Sequence, residues 1–340
     1  MSKASVDSQA TVFSGIDVSA KTLAVAVYQE GREGFRQREF ANSAAGHTQM
    51  IAWLLKCGPQ VRVALEATGV YSLDVALALD AAEGIEVAVL NPKTVNRFAG
   101  TLRRSKTDKA DAVALAEYSL RMPFVAWRRP GGNALELRAI SRHIGTLTEE
   151  HTRCNNRLHA AEGSAITPRC VREDLKRSMA GLKKRIARLR REAVAMVRQD
   201  AELARKFEQL ISIPGIAETS AVQLLSELAG LDPGMTVRQW VAHSGLDPAH
   251  QTSGSSVHKP SRISRHGNRH LRRALYMPAL VGVRFDPCMK TFYNLLQQRH
   301  KTKLQALIAV SRKLLHAIFG IFKTNTPYDG RKLFPHIFPA

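Results

Sequence analysis

Short apolar runs alternate with helical patterns in the N-terminal part of the chain. Four such runs predict strands, at residues 12–16, 23–28, 61–65 and 85–90. Between them, apolar positions spaced three and four residues apart predict helices at about 46–56 and 71–83. An opening hairpin followed by strand–helix alternation is typical of a mixed sheet with helices on its faces. The pattern therefore predicts an α/β domain at the N-terminus.

From residue 134 to about residue 205 the pattern becomes helical and rich in arginine. Gly163 and Pro168 are expected to divide this region into two helices. Seven apolar residues then recur at spacings of four and three, namely Leu175, Met179, Leu182, Ile186, Leu189, Ala193 and Met196. This heptad stripe predicts a coiled-coil contact with a second chain. The alternative is a helical hairpin packed within its own chain.

The last part of the chain is also mainly helical in pattern. Helices are predicted at 219–228, 239–243, 268–280 and about 301–322, with a polar loop from 247 to about 259. The turn Pro214-Gly215-Ile216 looks like the hairpin of a helix-hairpin-helix module, which offers backbone N–H groups to a phosphate. A buried Pro–Gly turn before a helix explains it equally well.

The charge of the chain indicates a polyanionic partner. Its 340 residues carry a formal net charge of +21, yet residues 1–120 hold 13 basic and 13 acidic side chains. The remaining 220 residues, with 37 basic and 16 acidic side chains, therefore hold the whole excess. No apolar run reaches the roughly 18 residues that a membrane span needs. We therefore expect a nucleic-acid partner and no membrane partner.

The start of the chain and its cysteines favour a cytoplasmic protein. No signal peptide is recognisable, because no basic segment precedes an apolar one. Cys57, Cys154, Cys170 and Cys288 are too far apart in sequence for a zinc-site pair. They are typical of reduced cysteines.

Four carboxylates stand where a metal site can form. Asp17 and Glu66 each end a predicted strand, and Asp108 and Asp111 share one face of a predicted helix. Oxygen ligands alone suit Mg²⁺ or Mn²⁺, and two such ions can assist phosphoryl transfer. Taken singly, a strand-end aspartate or an Asp-x-x-Asp helix face is more often solvated surface. Asp74 and Glu117 are weaker candidates.

A second candidate site lies in the basic C-terminal part. A small-residue loop, QTSGSS at 251–256, offers a serine hydroxyl that can approach a phosphate closely. Such a hydroxyl needs a base or a metal to activate it. The cations that follow can hold phosphates, namely Lys259, Arg262, Arg265, Arg269, Arg272 and Arg273. Without further information, a plain loop and a helix that binds phosphate without chemistry remain the simpler explanation.

These blocks resemble a known family. GIDVSAK at 15–21, LEATGVY at 65–71, NP at 91–92 and KTDKADA at 106–112 look like the four blocks of the DEDD transposases. That group is the bacterial insertion-sequence one-ten family, related to the Piv DNA invertase. ISIPGI at 211–216, GLDP at 245–248, SG at 253–254, RISRHGN at 262–268 and LRRAL at 271–275 are similar to its C-terminal domain.

The resemblance implies a fold, a site and partners. It implies an RNase H-like (RuvC-like) mixed-sheet domain, a helical coiled-coil segment and a mainly helical transposase domain. It gives the metal-ligand role to Asp17, Glu66, Asp108 and Asp111, and the nucleophile to Ser253, with Ser244, Ser255 and Ser256 as alternatives. It further implies a homodimer that assembles to a tetramer, active sites composed of two subunits, and a structured noncoding bridge RNA that pairs with donor and target DNA.

The expected protein is a DNA recombinase with three segments. Residues 1–125 are predicted to form the RuvC-like domain, 126–206 the helical dimerisation segment and 207–330 the basic transposase domain. Strand exchange is predicted to pass through a covalent phosphoserine–DNA intermediate. Two alternatives stay open: a metal-dependent DNA junction endonuclease in which water attacks, and a non-catalytic nucleic-acid-binding protein.

Overall fold

The computed structural model describes residues 12–69, 71–102, 107–253, 257–334 and 337. Between 250 and 261 the description is limited to the backbone. The chain divides into two compact units, Met1–Arg129 and Pro130–Ala340. The first unit is α/β and the second is mainly helical, in agreement with the predicted change of pattern.

A mixed sheet forms the centre of the first unit. Its described strands lie in the order β3-β2-β1-β4-β5; β1, β2 and β3 pair antiparallel, and β4 and β5 run parallel to β1. The strands are β1 (Val12–Val18), β2 (Thr22–Gln29), β3 (Arg36–Ala41), β4 (Val61–Glu66) and β5 (Ile85–Leu90). Four of them confirm predicted strands. The prediction missed β3, an edge strand in which only Phe40 is buried, because its polar residues give no apolar signal.

Helices cover both faces of this sheet. They are α1 (Ala44–Leu55), α2 (Tyr71–Asp80), α3 (Pro92–Leu102) and α4 (Asp108–Arg121). Apolar residues of α1 and α2, such as Met50 and Leu79, pack with the sheet in one fully buried core. The small residues of α4 pack against alanines of β2 in another. The prediction missed α3, because Asn91-Pro92 marked only the end of β5; proline also suits the first turn of a helix.

Two long antiparallel helices open the second unit. They are α5 (Gly132–Glu162) and α6 (Arg169–Gln199), separated near Gly163 and Pro168 as predicted. The heptad stripe of α6 lies against α5 of the same chain, where Ile186 joins Ile144 and Leu147 in a buried cluster. The structure therefore contains the helical hairpin that the sequence left as an alternative. Pairing with a second chain stays a prediction.

Short helices complete the second unit around α12. They are α7 (Ala201–Ile211), α8 (Glu218–Leu228), α9 (Val237–Ser244), α10 (Arg269–Phe285), α11 (Pro287–Gln298), α12 (Lys303–Thr324) and α13 (Gly330–Leu333). Leu314 and Ile318 of α12 are fully buried among residues of α7, α8 and α10. By length and composition α12 would qualify as a membrane span, with a mean hydropathy of 1.4. Half of that apolar window is buried inside the protein, as in the core helix of a globular domain.

Two segments of this unit were predicted as a loop and a turn; the structure differs from the first prediction and agrees with one alternative for the second. Residues 248–263 form an antiparallel hairpin of β6 (Pro248–Ser253) and β7 (Val257–Ile263), where a polar loop was expected. The Pro214-Gly215-Ile216 turn packs on α10: a Cβ at Gly215 would lie 2.6 Å from the Pro278 carbonyl oxygen. Ile216 is buried. The turn therefore corresponds to the buried Pro–Gly alternative.

Candidate active site

Asp17 and Glu66 lie side by side at one edge of the N-terminal sheet. The parallel pairing of β1 with β4 sets Gly15 opposite Ala64 and Ile16 opposite Leu65, so the next pair in register is Asp17 and Glu66. Paired residues of neighbouring strands point to the same face of a sheet, and so do residues two apart in one strand. Asp17 therefore shares its face with Gly15.

Helix α4 covers that same face. At Gly15 an added Cβ would lie 2.2 Å from both the Ala112 carbonyl oxygen and the Ala116 nitrogen, so the helix backbone touches the strand. Near the other end of α4, the Ser119 hydroxyl donates to the carbonyl of Arg62, at the start of β4, at 3.2 Å. Helix α4 thus runs antiparallel to β1 and β4, and its first turn lies at the strand ends.

That first turn contains the other two carboxylates. Thr107 caps the helix by accepting from the Ala110 N–H, and Asp108 and Asp111 follow directly. The predicted four carboxylates thus come from three elements that meet at one edge of the sheet. The positive end of the helix dipole favours negative charge at this place.

The donor set of this edge suits a hard divalent cation, because all four predicted ligands are carboxylates. The Thr68 hydroxyl oxygen, two residues beyond Glu66, is buried and has no hydrogen-bond partner among the described residues. A bound water or ion could supply the hydrogen bond that this oxygen lacks. Within the described ranges, no three acidic, histidine or cysteine side chains stand close enough to hold one ion.

The two weaker acidic candidates differ in their surroundings. Asp74 is exposed in the first turn of α2, and its charge acts on His47. Glu117 is further along α4, with 14% of its side chain exposed and Arg121 at 3.3 Å. Neither residue belongs to the first turn of α4 or to the strand ends.

Ser253 ends β6 and pairs with Val257 across the tip of the hairpin. Ser255 and Ser256 lie outside the described residues. Ser244, the remaining alternative, is fully buried and donates its hydroxyl to the Val241 carbonyl at 2.7 Å. A nucleophile must reach its substrate, so this burial argues against Ser244.

Hydrogen bonds close the base of the hairpin and connect it to α9. The Ser264 hydroxyl donates to the Asp247 carboxylate at 2.5 Å, and the Ser264 N–H donates to the Asp247 carbonyl at 2.8 Å. One step further, the Asn268 N–H donates to the His243 carbonyl at 2.6 Å. These hydrogen bonds therefore hold together the two ends of the serine-bearing hairpin.

The predicted phosphate-binding cations separate into two groups. Arg262, Arg265 and Arg269 are exposed, and for Lys259 the structure describes only the backbone. Arg272 instead donates to the Ser244 carbonyl at 2.8 Å, and Arg273 forms an ion pair with Glu149. Arg272 and Arg273 thus have partners within the protein. The exposed Arg262, Arg265 and Arg269 are therefore better placed to bind phosphate.

Two family models match this chain. A model for DEDD transposases of the IS110 type, described as "Transposase", matches residues 14–161. A second, described as "Transposase IS116/IS110/IS902 family", matches residues 207–294. Together they span more than half of the chain. The chain belongs to the IS110 family of transposases.

Relatives in this family extend the match across the chain. The "Pilin gene-inverting protein" of Moraxella bovis is 28% identical over 327 residues, covering 93% of this chain and 97% of the relative. The "Insertion element IS900 uncharacterized 42 kDa protein" of Mycobacterium paratuberculosis is 24% identical, with the same coverage. The "Insertion element IS110 uncharacterized 43.6 kDa protein" of Streptomyces coelicolor is 31% identical over 36% of this chain and 30% of its own length.

Sequence reasoning missed a buried network behind the serine hairpin of this transposase. The Glu227 carboxylate of α8, 3% exposed, accepts both Nε (2.8 Å) and a terminal nitrogen (2.9 Å) of Arg142 on α5. It also accepts from the Asn268 amide at 2.6 Å, and Asn268 caps α10. Burial alone would raise the pKa of Glu227, but the bonds from Arg142 and Asn268 outweigh it and the pKa is lowered. One ionised carboxylate therefore joins three helices.

A smaller network lies near the carboxylate edge of the transposase. The Asn42 amide donates to the carbonyls of Ser19 and Tyr71, at 2.8 and 3.2 Å. It joins the turn after β1 to the start of α2. Its oxygen lies 2.8 Å from Nε2 of the buried His47. No periodic signal marks Asn42, because its contacts connect segments that are distant in sequence.

Proposed function

We propose that this transposase cuts and rejoins DNA through a covalent bond between Ser253 and a backbone phosphate. The observation that supports this most is that β1 and β4 end, and α4 begins, at one edge of the sheet, so the backbone positions of the four predicted ligands share that edge. Family membership makes DNA cleavage and strand transfer the expected reaction type. The serine chemistry is the finer step that the family resemblance implies.

Asp17, Glu66, Asp108 and Asp111 would hold Mg²⁺ or Mn²⁺. Divalent ions bound there would stabilise negative charge on the attacking and leaving oxygens of a phosphoryl transfer. The carboxylates supply hard oxygen ligands.

Ser253 supplies the nucleophile. Its Oγ forms a bond to phosphorus while the bond from phosphorus to the sugar oxygen breaks, and the released sugar hydroxyl gains a proton. A sugar hydroxyl of another strand then attacks the phosphoserine, and the serine regains its proton. The bond energy is conserved in the phosphoserine, so exchange needs no external energy source. Arg262, Arg265 and Arg269, with Lys259, would hold the DNA phosphates near the hairpin.

Two further features of the proposal come from the family resemblance. We propose a homodimer that assembles to a tetramer, with residues 1–125, 126–206 and 207–330 as its RuvC-like, dimerisation and transposase segments. The serine of one subunit then acts with the carboxylates of another. We also propose guidance by a structured noncoding bridge RNA, with which the net charge of +21 is compatible.

The name of the Moraxella relative supports recombination over simple hydrolysis. That protein is called a pilin gene-inverting protein. Inversion of a gene requires strands to be cut and then rejoined. Serine chemistry preserves the phosphodiester energy for the rejoining step, whereas attack by water loses it.

A trapped protein–DNA adduct tests the proposal. Wild-type protein with Mg²⁺, a noncoding RNA from the flanking DNA and a donor duplex is expected to give a denaturation-resistant adduct. Mass spectrometry is expected to find the nucleotide on the peptide of Ser253. Ser253→Ala is expected to lose both adduct and cleavage, while Ser255→Ala and Ser256→Ala retain them.

Contrary results would point to the two alternative functions. Cleavage that persists in Ser253→Ala without any adduct would identify a hydrolytic junction endonuclease. Binding of DNA by the wild type with no cleavage under Mg²⁺ or Mn²⁺ would identify a binding protein. An adduct on Ser255 or Ser256 would assign the nucleophile to that residue instead.

A further inference from the structure

A cavity of about 370 Å³ lies among α5, α6 and α8 in the C-terminal unit. Ile144, Val194 and Val222 supply apolar lining, and Arg190, Arg191 and Arg198 contribute their side chains from α6. This volume falls within the usual range for cavities that enclose a small organic group. An apolar lining combined with several guanidinium groups suits a ligand that is flat and apolar in one part and anionic in another.

The cations of this cavity belong to two stripes along α6. Basic residues recur every seven positions, in one stripe Arg169, Lys176, Lys183 and Arg190, and in the other Arg177, Lys184, Arg191 and Arg198. A spacing of seven is close to two helical turns, so each stripe stays on one side of the helix. With a rise of about 1.5 Å per residue, the stripes extend for roughly 44 Å. Both stripes run along α6, and their last members line the cavity.

Two of the three cations that line the cavity, Arg190 and Arg191, have no acidic partner among the described residues, whereas Arg198 faces Glu218, which also lines the cavity. Arg177 lies 3.8 Å from Glu173 and Lys176 3.0 Å from Glu162, and both acids lie towards the far end of the stripes. Arg198 lies 3.8 Å from Glu218. For Lys183, Lys184, Arg190 and Arg191, the described part of the chain offers no carboxylate within ion-pair distance. All four are exposed.

A linear row of unpaired cations favours a polyanion over a small anion or a second copy of this chain. Helix α6 holds 11 basic and 3 acidic residues. A symmetric contact between these stripes in two copies would bring like charges together, so the dimer proposed above would use another face of this segment. A nucleic-acid strand instead presents a regular row of phosphates.

The cavity itself selects for an unpaired nucleotide. In a regular duplex the bases are stacked inside, so a duplex can contact the stripes but cannot fill a cavity. An unstacked base can enter it, lie against apolar side chains and stack on a guanidinium plane. The phosphate of that nucleotide then lies at the arginine rim.

We propose that this cavity, which nothing in the serine or carboxylate chemistry uses, binds one extrahelical nucleotide of a bound RNA or DNA. Arg190 and Arg191 hold its phosphate and Ile144, Val194 and Val222 receive its base. The stripes of α6 hold the adjoining backbone. The inference rests on the proposed function only in taking nucleic acid as the partner.

Binding of hairpin oligonucleotides tests this site. The probes are RNA and DNA hairpins with one bulged nucleotide and the same hairpins fully paired, measured by fluorescence anisotropy at several salt concentrations. Wild-type protein is expected to prefer the bulged form about tenfold. Comparison of the RNA and DNA arms identifies which nucleic acid supplies the nucleotide.

Two variants and a matched control separate the cavity from general charge. Arg190→Ala with Arg191→Ala is expected to abolish the bulge preference. Lys183→Ala with Lys184→Ala removes the same charge one heptad away, and it is expected to weaken both probes equally. Ala195→Leu, at an exposed position of the cavity wall, keeps every charge and is expected to weaken only the bulged probe.

Equal wild-type affinity for bulged and paired hairpins would overturn the inference. So would loss of the bulge preference in both double variants to the same extent. A doubled mass in light scattering that Ala195→Leu abolishes, with oligonucleotide binding unchanged, would assign the cavity to a second copy instead. A bulge preference without DNA cleavage would refute the proposed function and leave this site intact, while cleavage without a preference would refute this site alone.

Discussion

The N-terminal unit holds its carboxylates at the ends of regular elements, whereas the C-terminal unit holds its serine in a hairpin tied down by polar side chains. In the first, strand register and the contact between Gly15 and α4 set where Asp17 and Asp111 lie. In the second, Glu227 and Asn268 join three helices below the hairpin. The first site should therefore be sensitive to backbone packing, and the second to the loss of single polar groups.

The largest expected effect separates chemistry from folding at the carboxylate edge. Asp17→Asn is expected to lower DNA cleavage by roughly a thousandfold, because a neutral amide is a poor ligand for a divalent cation. Thermal unfolding should change little. Asp80→Asn removes the same charge from the far end of α2, where the chain returns to the start of β5, and should cleave normally. Equal activity of the two variants would contradict the site.

Next in size is the packing of α4 on β1. Gly15→Ala would place a methyl group 2.2 Å from two backbone atoms of α4. Neither backbone segment can yield easily, so we expect a loss of about 3 kcal/mol in the free energy of unfolding. Cleavage should fall as well, since α4 holds Asp108 and Asp111. Urea denaturation and a cleavage assay measure the two losses.

Gly100→Ala is the control for that packing effect. Gly100 lies within α3, and among the described residues outside its own helical turn no atom lies within 4 Å of an added Cβ. Alanine there should be neutral or stabilise by up to about 1 kcal/mol, because glycine weakens a helix interior. Similar losses in both glycine variants would show that the approach of α4 to β1 is not what limits stability.

The corresponding test in the C-terminal unit removes one buried charge. Glu227→Gln is expected to cost about 2–3 kcal/mol, less than a fully buried pair, because 42% of the Arg142 side chain is exposed. Glu192→Gln, which breaks the exposed pair with Arg188, should cost under about 0.5 kcal/mol. Denaturant unfolding measures both. Equal costs would mean that the network does not hold the helices together.

Lowering the pH should reproduce part of the loss in unfolding free energy that is expected for Glu227→Gln. The pKa of Glu227 is lowered in the folded protein, so its stabilising effect is present above the ordinary value of 4.5 and disappears as pH falls through the folded pKa. Below pH 4.5 the wild type should therefore lose stability more steeply than Glu227→Gln.

The smallest expected effect compares one histidine in each unit, the buried His47 and the half-buried His243. Burial lowers the pKa of His243, with Glu227 raising it and Arg138 and Arg142 lowering it further. Burial also lowers the pKa of His47, against the charge of Asp74. Below the ordinary value of 6.5 the unfolded chain binds a proton that the folded protein does not. Stability should therefore fall as pH drops from about 7 towards 5.

Substitution of each histidine measures its share of this pH dependence. His243→Gln should flatten the decline in unfolding free energy more than His47→Gln, because arginines oppose protonation of His243 while Asp74 favours protonation of His47. Denaturation curves at several pH values give the slopes. An unchanged slope in His243→Gln would contradict the role assigned to its burial.

The difference between the units also explains which features could be predicted. Apolar runs along the chain are enough to mark β1, β4 and β5, and the acids at their ends followed from those boundaries. β3 and the β6–β7 hairpin were missed because their residues are polar and gain their pairing from neighbouring strands. Arg272 and Arg273 were indistinguishable in sequence from Arg269, although the folded chain gives both of them internal partners.

The sequence by itself determined most of the strands and helices and the uneven charge, and it marked the four carboxylates and the serine as candidates. These are properties of single residues and of short-range periodicity, which the linear chain contains in full. Only the tertiary structure decided that α4 lies on β1, that the heptad stripe of α6 contacts α5, and that Glu227 joins three helices. Each of these depends on which distant segments exclude water from one another, and burial of that kind has no signature in the local pattern.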